Sequence, residues 1–218
     1  MITENTQLHI PAEVEENWQE IVNLLAEITE VPAALIMRLT GPDIEVFKAS
    51  SNRDNPYRPG EKEHFQDSGL YCETAIKSGN HLLVPDALSD PVWKNNPDIR
   101  LGMISYLGFP VLLPTGKPFG TICALDRKPN SYSAAIVKLM HQLKKMIESH
   151  LEMLFVNQRL GDKNRSLMDY LDELQTLRGL VPICSHCKSI RNEQGEWHPI
   201  ESLLIRHPEA DFSHGLCP

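Results

Sequence analysis

No stretch of the 218-residue sequence approaches the roughly 20 consecutive apolar residues that a membrane-spanning helix needs. The opening residues, MITENTQLHIPAEVEENWQE, lack both the basic start and the apolar run of a secretory signal. Basic charge is also scarce: 21 Lys and Arg stand against 29 Asp and Glu, a formal net charge of −8. Lys144 and Lys145 form the one local cluster, and neutralising phosphates needs a basic face, so nucleic acid is excluded as a partner. No internal repeat and no low-complexity tract interrupts the chain. These absences set the expectation of a soluble cytoplasmic protein. In that compartment five cysteines, two of them in a C-x-x-C, point to metal or redox chemistry rather than structural disulfides.

What is present is a globular composition, 41% apolar and 23% charged, enough for one packed domain with appendages. Residues 12–30 place Trp18, Ile21, Val22, Leu25 and Ile28 on one helix face, and Val31-Pro32 ends that helix. Apolar 34–39, the turn Gly41-Pro42-Asp43 and residues 44–49 read as a hairpin. Residues 50–66 read as a loop, 69–78 as a short helix stopped by Gly79-Asn80, and 82–84 as a brief strand. Residues 86–102, with Pro91, Trp93 and Pro97, read as a lid-like loop with a helical turn or two. Strands 104–113 and 119–125 flank the turn Pro114-Thr-Gly-Lys117. The order predicts an α+β fold, an antiparallel sheet with helices on one face.

From Ser133 the pattern turns helical. Ile136, Met140, Leu143, Ile147, Leu151 and Leu154 form a stripe that Leu167, Leu171, Leu174 and Leu177 continue, with a break expected near Gly161-Asp162. Spacings of three and four over this length predict a paired coiled coil, against the alternative of one long helix packed on its own domain. His141 on this helix reads as a solvated residue. Residues 179–218 hold too few apolar side chains to fold without a staple.

The staple is the pair Cys184-Ser-His-Cys187 and His214-Gly-Leu-Cys217. Two residues separate the donors in each half, which lets both side chains of a tight turn face one ion. Cys184, Cys187, His214 and Cys217 make a Cys3His set suited to structural zinc, with His186, His198 and His207 as rival fourth ligands. A redox C-x-x-C needs its first cysteine at a helix N-terminus in a βαβ setting, and Val181-Pro-Ile precedes Cys184 instead.

Residues ~15–155, above all GLYCETAI, LLVPDALSDPVW and ISYLGFPVLLPTGKPFGTICALD, resemble a GAF domain of bacterial signalling proteins. The resemblance implies a PAS-like antiparallel sheet, a face able to hold a small ligand, and dimerisation through terminal helices. Residues ~174–218 resemble a short cysteine-rich tail found at the end of bacterial GAF, PAS and receiver proteins, in which a further cysteine commonly follows Cys-Pro after one more residue. By that likeness the fourth ligand is His214 or a cysteine beyond Pro218. The domains expected are GAF at 12–155, a helical coiled-coil linker at 156–178 and a zinc module at 179–218.

Candidate residues for a small molecule of unknown identity on the GAF face are Cys72, Asp86, Trp93, Tyr106 and Cys123. Cys72 and Cys123 equally fit as small apolar core residues; Asp86 equally fits as a loop cap and Trp93 as a core plug. The cyclic-nucleotide signature N-K-x-n-F-x-x-x-D-E is missing, and Glu73 after Cys72 argues against a covalent bilin. The expected function is a non-enzymatic sensor that relays through paired helices to a zinc module and a signalling partner. The alternatives are a GAF-fold enzyme of the free methionine-R-sulfoxide reductase type, in which no second cysteine follows Cys72 in the stretch through Asn95, and a purely structural dimeric scaffold.

Overall fold

The computed structural model describes residues 8–191, 195–199 and 211–215, and side chains as far as Leu171 and again at 182–191 and 195–199. The chain divides into two compact units, residues 1–157 and 158–218. The first opens with α1 (Ala12–Thr29), β1 (Ala33–Thr40), β2 (Asp43–Ala49) and β3 (Lys62–His64). It continues through α2 (Tyr71–Ser78), β4 (Leu82–Val84), a 3₁₀ turn (Pro97–Leu101), β5 (Ser105–Leu112) and β6 (Pro118–Asp126), then enters α3 (Ala134–Gly179). Strand order in the sheet is β3-β2-β1-β6-β5-β4, with every neighbour antiparallel.

Alternation along the strands sorts the core into two layers. Ala34, Ile36, Leu107, Phe109, Ile122 and Ala124 pack with α1 and the first part of α3. Ala33, Leu35, Met37, Tyr106, Cys123 and Leu125 face the other way, toward the short α2 and the 86–102 loop. The long helices therefore share one face and α2 lies on the other. Two bulges adjust this alternation. The β1–β2 register steps from Ile36↔Lys48 to Met37↔Val46, passing over Phe47. The β5–β6 register steps from Val111↔Gly120 to Leu112↔Pro118, passing over Phe119. Each extra residue turns its ring onto the helix layer, where Phe47 and Phe119 meet Trp18 edge-on at 5.8 and 5.7 Å.

Several local expectations change. Ile28 is exposed, and Val14 and Ala26 complete the buried face of α1 in its place. A short strand, β3, falls inside the segment expected to be all loop. In α3, Met140, Leu143, Ile147 and Leu151 are buried in their own domain's core. The first half of the expected coiled-coil seam is thus a domain-packing face, the alternative weighed for it. The helix also runs through Gly161 without a break. A different row is left outward: Met146, Met153, Leu160 and Leu167, seven residues apart and each about half exposed, with Val156 and Tyr170 also exposed on the same helix. No helix among the described residues is long and apolar enough to cross a membrane.

In the second unit, α3 leads straight into β7 (Leu180–Cys184), followed by β8 (Ile190–Arg191), β9 (Trp197–His198) and β10 (Asp211–Gly215). They form a sheet ordered β10-β7-β8-β9, in which β10 and β7 are parallel.

Candidate functional site

The sheet face opposite the long helices is filled by rings and thiols. Tyr106 on β5 lies along the sheet over Gly108. A Cβ added at Gly108 would stand 2.0 Å from the Tyr106 hydroxyl, so only glycine admits the ring there. The ring stacks on Tyr71 at 4.9 Å, and Tyr71 meets Trp93 of the loop at 5.4 Å. Tyr71, Tyr106 and Met103 are fully buried, and Trp93 is partly exposed. Tyr71 donates its hydroxyl to the Met103 carbonyl at 3.4 Å.

Beneath this stack, Cys72 on α2 and Cys123 on β6 are both buried. The Cys72 sulfur accepts from Thr121 Oγ1 at 3.3 Å and from Tyr106 Oη at 3.5 Å. The neighbouring Cys123 thiol, with these two hydroxyls, holds Cys72 below the ordinary thiol value despite burial. Burial pushes Cys123 well above that value, and the Cys72 sulfur beside it adds to the rise. Three of the five residues expected at a ligand site, Cys72, Tyr106 and Cys123, thus meet in one cluster, with Trp93 two rings away. Asp86 does not join them: it accepts from the Leu88 amide and the Ser89 hydroxyl, capping its own loop, and these bonds keep its carboxyl below the usual range. The stretch after Cys72 offers no second thiol, but β6 supplies one from 51 residues further along the chain, in Cys123.

Two charged residues of this face went unread in the sequence. Asp98, in the 3₁₀ turn, is buried and accepts from Tyr57 Oη at 2.7 Å. Burial drives its carboxyl up to about 6; the Tyr57 hydrogen bond opposes the rise and Glu63 adds to it. Asn96, which caps the turn by accepting from the Asp98 amide, is a recognisable sequence signal two residues upstream; nothing local announces the partner Tyr57. Glu73 on α2 gathers the Asp67 and Gly69 amides, the Ser68 hydroxyl and Lys77. Burial works against its charge, yet those four donors bring the carboxyl down to about 2.

An open depression of ≈ 270 Å³ lies between α1 and the chain after β2, lined by Asn23, Ala26, Glu27, Ser51 and Asn52. Its amides are engaged in the fold: Asn23 accepts from the Ser51 amide, and Asn52 donates to the Val31 carbonyl.

In the second unit, residues 185–187 form the turn after β7. Cys184 is buried and Cys187 exposed; the Cys187 amide donates to Cys184 Sγ at 3.5 Å, and the Lys188 amide to the Cys184 carbonyl at 3.0 Å. β10 runs parallel to β7 with Gly215 opposite Cys184, so the two half-motifs leave the sheet at the same end. Of the other expected ligands, Cys217 lies outside the described residues, as does the rival His207, and His214 is described through its backbone in β10. Among the described residues no three His, Cys, Asp or Glu side chains cluster as a metal site.

The sequence matches the GAF domain over residues 13–151. The chain belongs to the GAF domain family. Among curated proteins it is similar to the diguanylate cyclase DgcP of Escherichia coli (strain K12), 25% identical over 174 residues that cover 75% of this chain and 49% of the relative. The chain therefore spans about half the length of that relative. Similar solved structures include the blue-light-absorbing form of the PixJ GAF domain of Thermosynechococcus elongatus, with a TM-score of 0.58, 12% identity and coverage of 70% of this chain and 94% of that one. Another is the type II free methionine-R-sulfoxide reductase of Thermoplasma acidophilum, with a TM-score of 0.52, 14% identity and coverage of 65% and 95%. A third is the GAF domain of an Acinetobacter phosphoenolpyruvate-protein phosphotransferase, with a TM-score of 0.53, 13% identity and coverage of 67% and 86%. At such identities the likeness is one of fold. The proteins it resembles carry names as different as a cyclase, a reductase and a phosphotransferase, so the fold alone does not fix a use.

Proposed function

We propose that this GAF protein is a non-enzymatic cytoplasmic sensor whose output travels along α3. The observation that supports it is the continuity of α3, which carries the core residues Met140, Ile147 and Leu151 and then runs without interruption to β7. Residues 159–171 are exposed around the whole helix, and a lone helix segment of this length is marginal in water. The outward row Met146, Met153, Leu160 and Leu167 keeps a strict seven-residue repeat, which suits pairing with a second copy. A homodimer through this row is the partner reading; the signalling protein that receives the output is a further, unidentified partner.

Zinc is the proposed cofactor of the second unit. Cys184 and Cys187 share a turn whose amide already points at sulfur, a geometry that favours thiolate, and the parallel β7–β10 register starts the second half-motif beside the first. Cys184, Cys187, His214 and Cys217 would hold the ion, whose contribution would be folding energy.

Native mass spectrometry of the full chain purified without added metal tests both readings. The expected species is a dimer with one zinc per chain, and Leu160→Lys with Leu167→Lys is expected to give a zinc-loaded monomer. A monomeric wild-type chain overturns the helix pairing, and a metal-free, folded tail overturns the zinc site.

A further inference from the structure

The thiol cluster under the Tyr106 ring is chemically richer than packing requires. Valine for Thr121 and phenylalanine for Tyr106 would fill the same space, yet both positions carry hydroxyls that donate to Cys72 Sγ, at 3.3 and 3.5 Å. Cys123 lies two residues from Thr121 on the same face of β6 and opposite Gly108, over which the Tyr106 hydroxyl sits, so the second thiol belongs to the same buried cluster as Cys72. One sulfur thus sits in a nest of donors suited to negative charge, with another thiol in the same buried cluster. Cys72 is also in the first turn of α2, whose N-cap Leu70 offers no side-chain acceptor, so the positive end of that helix adds to the nest. We infer that Cys72 and Cys123 form a peroxide-reactive dithiol, Cys72 the attacking sulfur and Cys123 the resolving one.

The steps balance. The Cys72 thiolate attacks one oxygen of a hydroperoxide ROOH; the O–O bond breaks, Cys72 becomes a sulfenic acid, and the departing RO⁻ takes the proton that Cys72 gave up. Cys123 sulfur then attacks Cys72 sulfur; the S–S bond forms, the S–O bond breaks, and hydroxide leaves with the Cys123 proton as water. Two thiols and ROOH yield a disulfide, ROH and water, a two-electron oxidation.

The surroundings select the oxidant. Cys72 is 7% exposed and Cys123 fully buried, which bars a bulky disulfide such as oxidised glutathione and makes a small uncharged oxidant of the hydrogen peroxide class the one that suits the cluster. Oxidation would also be felt outside the cluster. A disulfide sulfur is a poorer acceptor than a thiolate, so the buried Tyr106 hydroxyl loses its partner, and the ring it belongs to carries the Tyr71–Trp93 stack of the 86–102 loop. This chemistry goes beyond the helix relay and stands whether or not the chain pairs.

The test treats the full-length protein with a small excess of hydrogen peroxide, alkylates free thiols under unfolding conditions, and maps the cysteines by peptide mass spectrometry. The expected product is a Cys72–Cys123 cross-linked peptide pair, formed with hydrogen peroxide and not with oxidised glutathione. Cys123→Ser should stop at a sulfenic acid on Cys72, trapped by a dione reagent, and Thr121→Val should slow oxidation roughly five- to tenfold while the fold is unchanged by circular dichroism. Recovery of both thiols fully alkylated, with oxidation confined to Cys184, Cys187 or Cys217, overturns the proposal. So does equal speed in Thr121→Val. Subunit mass in the same samples reports helix pairing independently.

Discussion

Trp18 donates its indole N–H to His150 Nδ1 at 3.0 Å, tying the first helix to the third across the helix layer. The indole is fully buried, so this is its polar outlet. Removing the acceptor leaves a buried donor unmatched, which costs about 1–3 kcal/mol. His150→Ala is therefore expected to lower unfolding stability by that amount in urea titrations. In a cycle with Trp18→Phe, the two losses should be clearly less than additive. Additive losses would mean the bond contributes nothing and Trp18 acts through packing alone.

Glu73 gives the protein an acid sensitivity with a defined window. Its carboxyl falls from an ordinary 4.5 to about 2 in the fold, because four donors outweigh its burial. A depressed carboxyl stabilises the folded state in full above its unfolded value and loses that contribution as pH drops from about 4.5 toward 2. The size is of order 3 kcal/mol. Glu73→Gln should weaken the protein by about that much at pH 7, and the gap between the two chains should close at the acid end of a pH series.

Gly108 and Tyr106 form a pair that substitution should expose through epistasis. An alanine methyl at 108 would stand 2.0 Å from the tyrosine oxygen and 2.3 Å from Cζ, so the ring must leave its place over the sheet. Gly108→Ala alone should cost roughly 1–3 kcal/mol. In a Tyr106→Ala background the same change should cost almost nothing, since the methyl then enters vacated space. An undiminished cost in that background would place the penalty in the backbone instead of the ring.

The strands, the order of elements and the likeness to the GAF fold were legible because alternation and turn residues are local signals. Leu82–Val84 and the Gly79 helix stop, for example, lie where the pattern puts them. The seam on α3 was harder. Met140 and Ile147 recur at the same spacing whether they face a partner helix or their own sheet, and periodicity carries no information about which surface lies opposite. The bulges at Phe47 and Phe119 flip single residues between faces, and the sequence marks neither with a glycine at the flipped position. Within the site, Asp86 and Asp98 look alike as loop aspartates. Only the fold sets Asp98 under Tyr57, while Asp86 caps its own turn.

That difference makes Asp98 the group through which pH between about 4 and 6 should act on this face of the sheet. Its carboxyl rises from an ordinary 3.8 to about 6, chiefly through burial. A raised carboxyl means the folded chain holds the proton more tightly than the unfolded one. Stability from this group therefore falls as pH climbs from about 4 to 6, and the penalty then stays constant at higher pH. Asp98→Asn keeps an oxygen for the Tyr57 hydroxyl and removes the charge. It should be more stable than the natural chain at pH 7, by up to about 3 kcal/mol, and equal to it at pH 4. Urea unfolding of both chains at half-unit steps between pH 4 and 8 measures the difference. A variant that is weaker at pH 7 would mean the ionised carboxylate is held by donors stronger than the Tyr57 hydroxyl, and burial would no longer be the force that sets its proton affinity.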